Sequence, residues 1–163
     1  MRPGLLARSL EVLARGLSIL PENRALGAFL IRGLDGSPYL TRGFGPRLLG
    51  CRLILHHIWR PDADLWPHNH PWRRARFLIL HGGYVEERRV DGRAVRRYLG
   101  VGDVNELDAD DFHRVVWVAP DTWTLGVVQD RCQDWSFWVD GEGPVPHDVY
   151  FARTGYVSPG RGL

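Results

Sequence analysis

The stretch "WPHNHPWRRARFLILHGGY", residues 66–84, decides how this chain is read. His68 and His70 stand two apart, and on extended backbone residues two apart point to the same side. Pro67 and Pro71, with Trp66 and Trp72, frame the pair, and the apolar run "RFLILHGG" (residues 76–83) follows directly. Imidazole is the commonest metal ligand among side chains, so a same-face pair leading into a strand raises the question of a bound ion.

The sequence around this stretch has the period of strands. Residues 48–59, 76–86, 95–99, 101–107, 113–118, 122–129 and 135–139 are rich in Val, Ile, Leu and aromatics and are bounded by Gly, Pro and Asp. Asp91-Gly92 between two arginine-rich arms marks a two-residue hairpin. Short strands joined by short turns predict a mainly β, antiparallel jelly-roll barrel. Upstream, Leu6, Leu10, Leu13, Leu17 and Leu20 share one helical face, Glu11 and Arg15 pair on the polar side, and Pro21 ends the helix. A second short helical patch is expected over residues 22–31, and the glycines and prolines of residues 33–47 read as irregular connection. The expected organisation is an N-terminal amphipathic helix and connecting segment over 1–47, followed by the barrel over 48–163, as one domain overall.

Composition narrows the function classes. The chain has 163 residues, 44% of them hydrophobic and 25% charged, as in a globular protein. Its net charge of +2 is too small to argue for nucleic acid. All 21 basic residues are arginine, which excludes lysine Schiff-base chemistry. Two cysteines, Cys51 and Cys132, are too few for a disulfide framework or a cysteine zinc site. No signal peptide and no apolar run of membrane-spanning length is visible, so a cytoplasmic protein is expected.

A second spacing completes the picture. Gly82 lies twelve residues beyond His70, and "GDVNELDADDFH" places His113 eleven residues after Gly102. These spacings resemble the two sequence motifs of the cupins, small jelly-roll barrels that usually hold one metal. The resemblance covers roughly residues 50–130. It implies that His68, His70 and His113 converge inside the barrel as metal ligands. The chain departs from the family pattern at three places. Arg74 or Ala75 stands where the first motif has a glutamate ligand. Asp108 and Asp110 replace a Pro-x-Gly, and Trp117 occupies a common asparagine position. Three neutral imidazoles without a carboxylate leave a divalent metal its full charge and open positions, an arrangement some cupin thiol dioxygenases use.

Other residues carry secondary expectations. His56 and His57 on "CRLILHHIW" face opposite sides, and His56 is expected inward with Ile54 and Ile58. There it would be a second-sphere donor, a fourth ligand or a proton-transfer group, or else a core histidine. Arg74 is expected to anchor a substrate carboxylate, or to be a loop charge. Val115 and Trp117 share the expected face of His113, while Glu86, Glu87 and the arginines around the hairpin read as a solvated face. His81 and His147 receive no role.

The resemblance therefore implies a metal-dependent enzyme acting on a small molecule, foremost an Fe(II) oxygenase with a three-histidine site. Zinc, manganese or nickel in a Lewis-acid isomerase, lyase or hydrolase is the alternative, and a non-catalytic ligand-binding cupin is the third reading. A 2-oxoglutarate oxygenase is disfavoured, because its usual His-x-Asp or His-x-Glu is His68-Asn69-His70 here. A homodimer is expected, because the leucine stripe and open sheet edges both need cover.

Overall fold

A computed structural model describes residues 27–33 and 35–154. The helix expected over residues 5–20 lies outside the described residues. Eleven strands follow: β1 Gly27–Arg32, β2 Pro38–Leu48, β3 Cys51–Ile58, β4 Arg74–His81, β5 Gly83–Val90, β6 Arg93–Gly100, β7 Val104–Asp108, β8 His113–Val118, β9 Thr122–Val128, β10 Ser136–Val139 and β11 Gly143–Pro146. A short helix, α1, covers His147–Thr154.

The strands form a six-stranded sheet in the order β1-β2-β3-β9-β4-β7, a three-stranded sheet β6-β5-β8, and the pair β10-β11. Every pairing is antiparallel. The first two sheets pack on each other. Ile79 and Ile58 of the large sheet meet Tyr84, Leu99, Val115 and Val118 of the small one. Deeper in the large sheet, Ile54, Ala75, Phe77, Leu107 and Val128 form a second apolar cluster. A third cluster, Phe137, Val145, Tyr150 and Phe151, seats α1 on the β10-β11 pair.

Two local rules decide where the chain turns. At the β5–β6 hairpin, Asp91 and Gly92 have φ of 48° and 75°, the paired positive values of a type I′ turn. Between β4 and β5 the run expected as one strand over 76–86 is broken. Gly82 takes φ of 70°, and a Cβ there would lie 2.5 Å from Thr122 Oγ1. The glycine lets the chain leave the large sheet and enter the small one.

Residues 27–48 differ from the expectation of a helical patch and an irregular connection. Gly27–Arg32 and Pro38–Leu48 are strands, paired with each other and, through β2, with β3. Glycine and proline weaken strand propensity, but Gly45 packs directly against β3, where the backbone needs room: a Cβ there would meet Leu53 Cβ at 2.9 Å. The pairing partner, which local sequence does not contain, overrides the local signal.

Packing is close under Gly126, on β9 between Ile54 and Phe77. A Cβ there would lie 2.5 Å from the Phe77 ring. Gly126→Val should lower unfolding stability by about 1–3 kcal/mol through overpacking. Thermal or denaturant unfolding, with unchanged far-ultraviolet circular dichroism at low temperature, measures it.

Candidate metal centre

The loop carrying His68 and His70 is held by backbone bonds to two strands. His68 N donates to His113 O at 2.8 Å and His113 N donates back to His68 O at 2.9 Å. On the other side Asn69 N donates to Ser136 O, and Ser136 N donates to Asn69 Oδ1 at 2.7 Å. The alternation of extended backbone then separates roles. Asn69 turns toward β10, and His68 and His70 turn together toward the first residue of β8, His113.

The three histidines present one ring nitrogen each, all within 4.8 Å of one another. His70 Nε2 and His113 Nε2 are 2.8 Å apart. Two nitrogens bound to one ion at about 2.1 Å and about 90° would be separated by roughly 3.0 Å, so this spacing suits neighbouring positions on one metal.

Glu86 prepares His113 for that role. It is 0% exposed on β5, and its Oε1 lies 2.7 Å from His113 Nδ1. An ionised carboxylate only accepts, so the imidazole N–H donates and the Nε2 lone pair is left facing His68 and His70. Asn105 Nδ2 donates to the same oxygen at 2.8 Å, and Arg97 Nε donates to Oε2 at 2.8 Å. Burial alone would raise the Glu86 pKa. The His113 hydrogen bond and charge, Asn105 and Arg88 outweigh it and hold the carboxyl well below its ordinary range. The expectation of a solvated face is thus corrected at Glu86: the hairpin arginines Arg88 and Arg97 close over a buried anion.

The donor set fits a divalent metal. Burial lowers the His68 pKa to about 4 and the His70 pKa well below its ordinary value, with neighbouring His113 adding to both shifts. Neutral imidazoles with free lone pairs are the form that binds a metal.

The remaining expected residues separate. His56 is on the inner face of β3, stacked on Phe77 at 5.2 Å, and its Nε2 accepts a 3.0 Å hydrogen bond from Arg42 Nε. Burial, then the charge of Arg42, depresses its pKa well below the ordinary value. His57 points the other way, between Trp59 and Trp123. Arg74 does not join the site. It lies exposed on the outer face of β4, paired with Asp108 at 2.7 Å. Trp117 also leaves the expected face: a bulge between Val85 and Glu86 pairs Glu86 with Val115 but Val85 with Trp117, turning the indole outward. His81 Nδ1 and His147 Nδ1 meet backbone carbonyls of Asp121 and Trp135.

His68 and His70 open onto a cavity of about 1320 Å³. Trp72, Arg42, Tyr39 and Asp62 line it on one side, Trp135 and Phe151 on the other. Arg42 and Asp62 are among those not singled out by sequence. Arg42 sits in the stretch read as irregular, and Asp62 accepts from the Tyr39 hydroxyl and from Val115 N.

No protein-family model matches the chain, and no curated protein matches it. Solved structures do. A Streptomyces PAC13 variant with uridine is similar at 10% identity and TM-score 0.50, over 70% of this chain and 85% of that one. The likeness is one of fold. The fold is a cupin-type jelly roll. Fe(II)-HppE with the alternative substrate (S)-1-HPP is similar at 13% identity and TM-score 0.48, over 68% of this chain. This chain spans 58% of that longer protein. KdgF from Halomonas sp. is similar at 19% identity and TM-score 0.48, over 65% of this chain and 96% of that one.

Two outcomes follow from the cupin site. Glu86→Gln keeps the shape but loses the charge that fixes the His113 tautomer, so metal affinity should fall about 10–100-fold, read by chelator competition. In the metal-free protein, His68 has a folded pKa of about 4 against an ordinary 6.5. Above pH 6.5 both folded and unfolded states hold it neutral. Between 6.5 and 4 the unfolded chain takes up a proton that the folded one refuses, so stability should fall over that window. Denaturant midpoints at pH 7.5 and pH 5 measure it.

Proposed function

We propose that the protein is a metal-dependent cupin enzyme acting on a small molecule, and that it is an Fe(II) oxygenase using His68, His70 and His113 as its three protein ligands. The observation that carries this reading is the convergence of the three ring nitrogens, with the His113 tautomer set by buried Glu86. The near-right-angle spacing of His70 Nε2 and His113 Nε2 supports a six-coordinate ion with open positions over a closed tetrahedral one. Bound there, iron(II) would supply redox chemistry toward dioxygen. The chain does the rest. His68 is locked by its backbone clasp to β8, and the His70 carbonyl accepts from Gln133 Nε2, so the ligand face is formed before substrate arrives. Trp72 stacks on His70 at 5.2 Å, and Trp135 meets His68 edge-on at 5.8 Å. These rings keep the ligand face apolar and limit water around it. His56, its Nε2 already accepting from Arg42, serves as a positioning residue behind that cavity-lining arginine.

We further propose a cytoplasmic homodimer. No helix among the described residues is long and apolar enough to cross a membrane. Cys51 and Cys132 are free thiols. Leu53, Val127, Leu78 and Val104 lie side by side on the outer face of the large sheet, each 36–45% exposed. A second copy covering that face would bury them, and light scattering at micromolar concentration should report twice the chain mass.

Elemental analysis of protein purified without a chelating tag tests the main reading. Near-stoichiometric iron, with oxygen uptake in a substrate screen, is the expected result. Zinc would point instead to a Lewis-acid isomerase, lyase or hydrolase, and no metal to a ligand-binding cupin. Replacing His68, His70 or His113 by alanine should remove metal and activity together, because each supplies one of three ligands. His56→Ala should retain metal and lower turnover. Arg74→Ala should leave both unchanged, its guanidinium being paired outside the cavity.

A further inference from the structure

Arg42 stands apart from the other arginines of the cavity. Arg47 pairs with Asp130 and Arg131 with Asp134, both at the exposed rim, and Arg52 lies over the Phe44 ring. Arg42, on β2, lies deeper, and among the described residues no carboxylate pairs with it. Its Nε is used by His56, its cross-strand neighbour. Its guanidinium carbon lies 5.7 Å from the centre of the Trp72 ring, and that ring stacks on His70. Guanidinium, indole and metal-ligand imidazole therefore form one continuous wall. The two outer nitrogens of the guanidinium remain for a ligand in the cavity.

Charge points the same way. Burial lowers the Arg42 pKa only to about 10, so it stays a cation at neutral pH. A divalent ion held by the three imidazoles would add its charge to that of the arginine, and among the described residues no carboxylate pairs with Arg42. A poorly solvated cation without a counterion is unfavourable, and a bound anion relieves it.

We propose that Arg42 is the substrate anchor, binding a carboxylate or phosphate-type oxyanion of a small molecule whose other end reaches the three-histidine site. The forked guanidinium matches two oxygens of such a group at once, which an ammonium would not. His56 and Trp72 hold the fork in place, one by a hydrogen bond and one by its ring face. The proposal rests on the three-histidine metal reading for the far end of the substrate, and not for the anchor itself.

The test uses metal-free protein, so that anions cannot bind through the ion. Malonate, inorganic phosphate and uncharged malonamide are titrated calorimetrically into wild type, Arg42→Met and Arg42→Lys. Wild type should prefer at least one anion over malonamide, and malonate against phosphate identifies which oxyanion the site takes. Arg42→Met should weaken that anion about tenfold or more, with Arg42→Lys between the two. If Arg42→Met loses its native circular dichroism, Arg42→Gln is read in its place. Equal anion affinity in wild type and the folded neutral variant, or no preference over malonamide, overturns the assignment. Elemental analysis of metal-reconstituted samples judges the metal separately. Metal in wild type and Arg42 variants alike, with anion binding unchanged by the substitution, would sink the anchor alone. No metal in any sample would sink the three-histidine reading alone.

Discussion

The buried carboxylate of Glu86 is the constraint on which the rest of the site depends. A charge removed from water is tolerable only when its oxygens are filled by donors. Here the donors come from three other strands: Asn105 on β7, Arg97 on β6 and His113 on β8. One side chain therefore joins an edge of the large sheet to the small one and also sets which nitrogen of His113 faces inward. The same hydrogen bond orients one histidine of the three-histidine group and crosslinks the sheets. Arg74 stands outside the site, while buried Glu86 brings its charge to that group through His113.

The loop before β4 depends on a second, simpler device. Reciprocal backbone bonds between His68 and His113 place two ligands opposite each other without using either imidazole. Asn69 secures the opposite side through Ser136, so the His-x-His dipeptide step is clamped from both faces. With their backbones immobilised, His68 and His70 need no side-chain partner to hold orientation, and stacking on Trp72 and Trp135 suffices. The tryptophans beside the motif act as ring supports and also as cavity wall.

Electrostatics gives the cavity its character. Three histidines, a cationic Arg42 and, among the described residues, no carboxylate paired with it give the concave site a positive character. Asp62 lines the same cavity, but Tyr39 and a backbone amide occupy its oxygens. Selectivity in such a site comes from what neutralises it, and the volume of about 1320 Å³ leaves room for an entire small molecule beside the three histidines.

How much of this was legible in the chain can be traced residue by residue. Strand β8, the Asp91-Gly92 turn and the three-histidine set could be read directly, because alternation, turn chemistry and ligand spacing are local properties. His56 could be placed inward from its apolar neighbours. Strands β1 and β2 could not be read, since glycine and proline there mimic a loop until β3 supplies hydrogen-bond partners. Trp117 was misplaced by one bulge, which reverses the face of every residue beyond it. Arg74 stands beside the histidines in sequence but on the outer face of β4, whereas the sheet brings Arg42 of β2 over Trp72, the ring stacked on His70. Glu86 looked solvated among arginines because neighbours in sequence cannot reveal that Asn105 and His113 close over it. The sequence by itself determined the fold class and the grouping of His68, His70 and His113, both written in short-range periodicity and spacing. Only the tertiary structure decided the tautomer-setting carboxylate, the cavity cation and its wall, because each arises from strands that meet across the barrel.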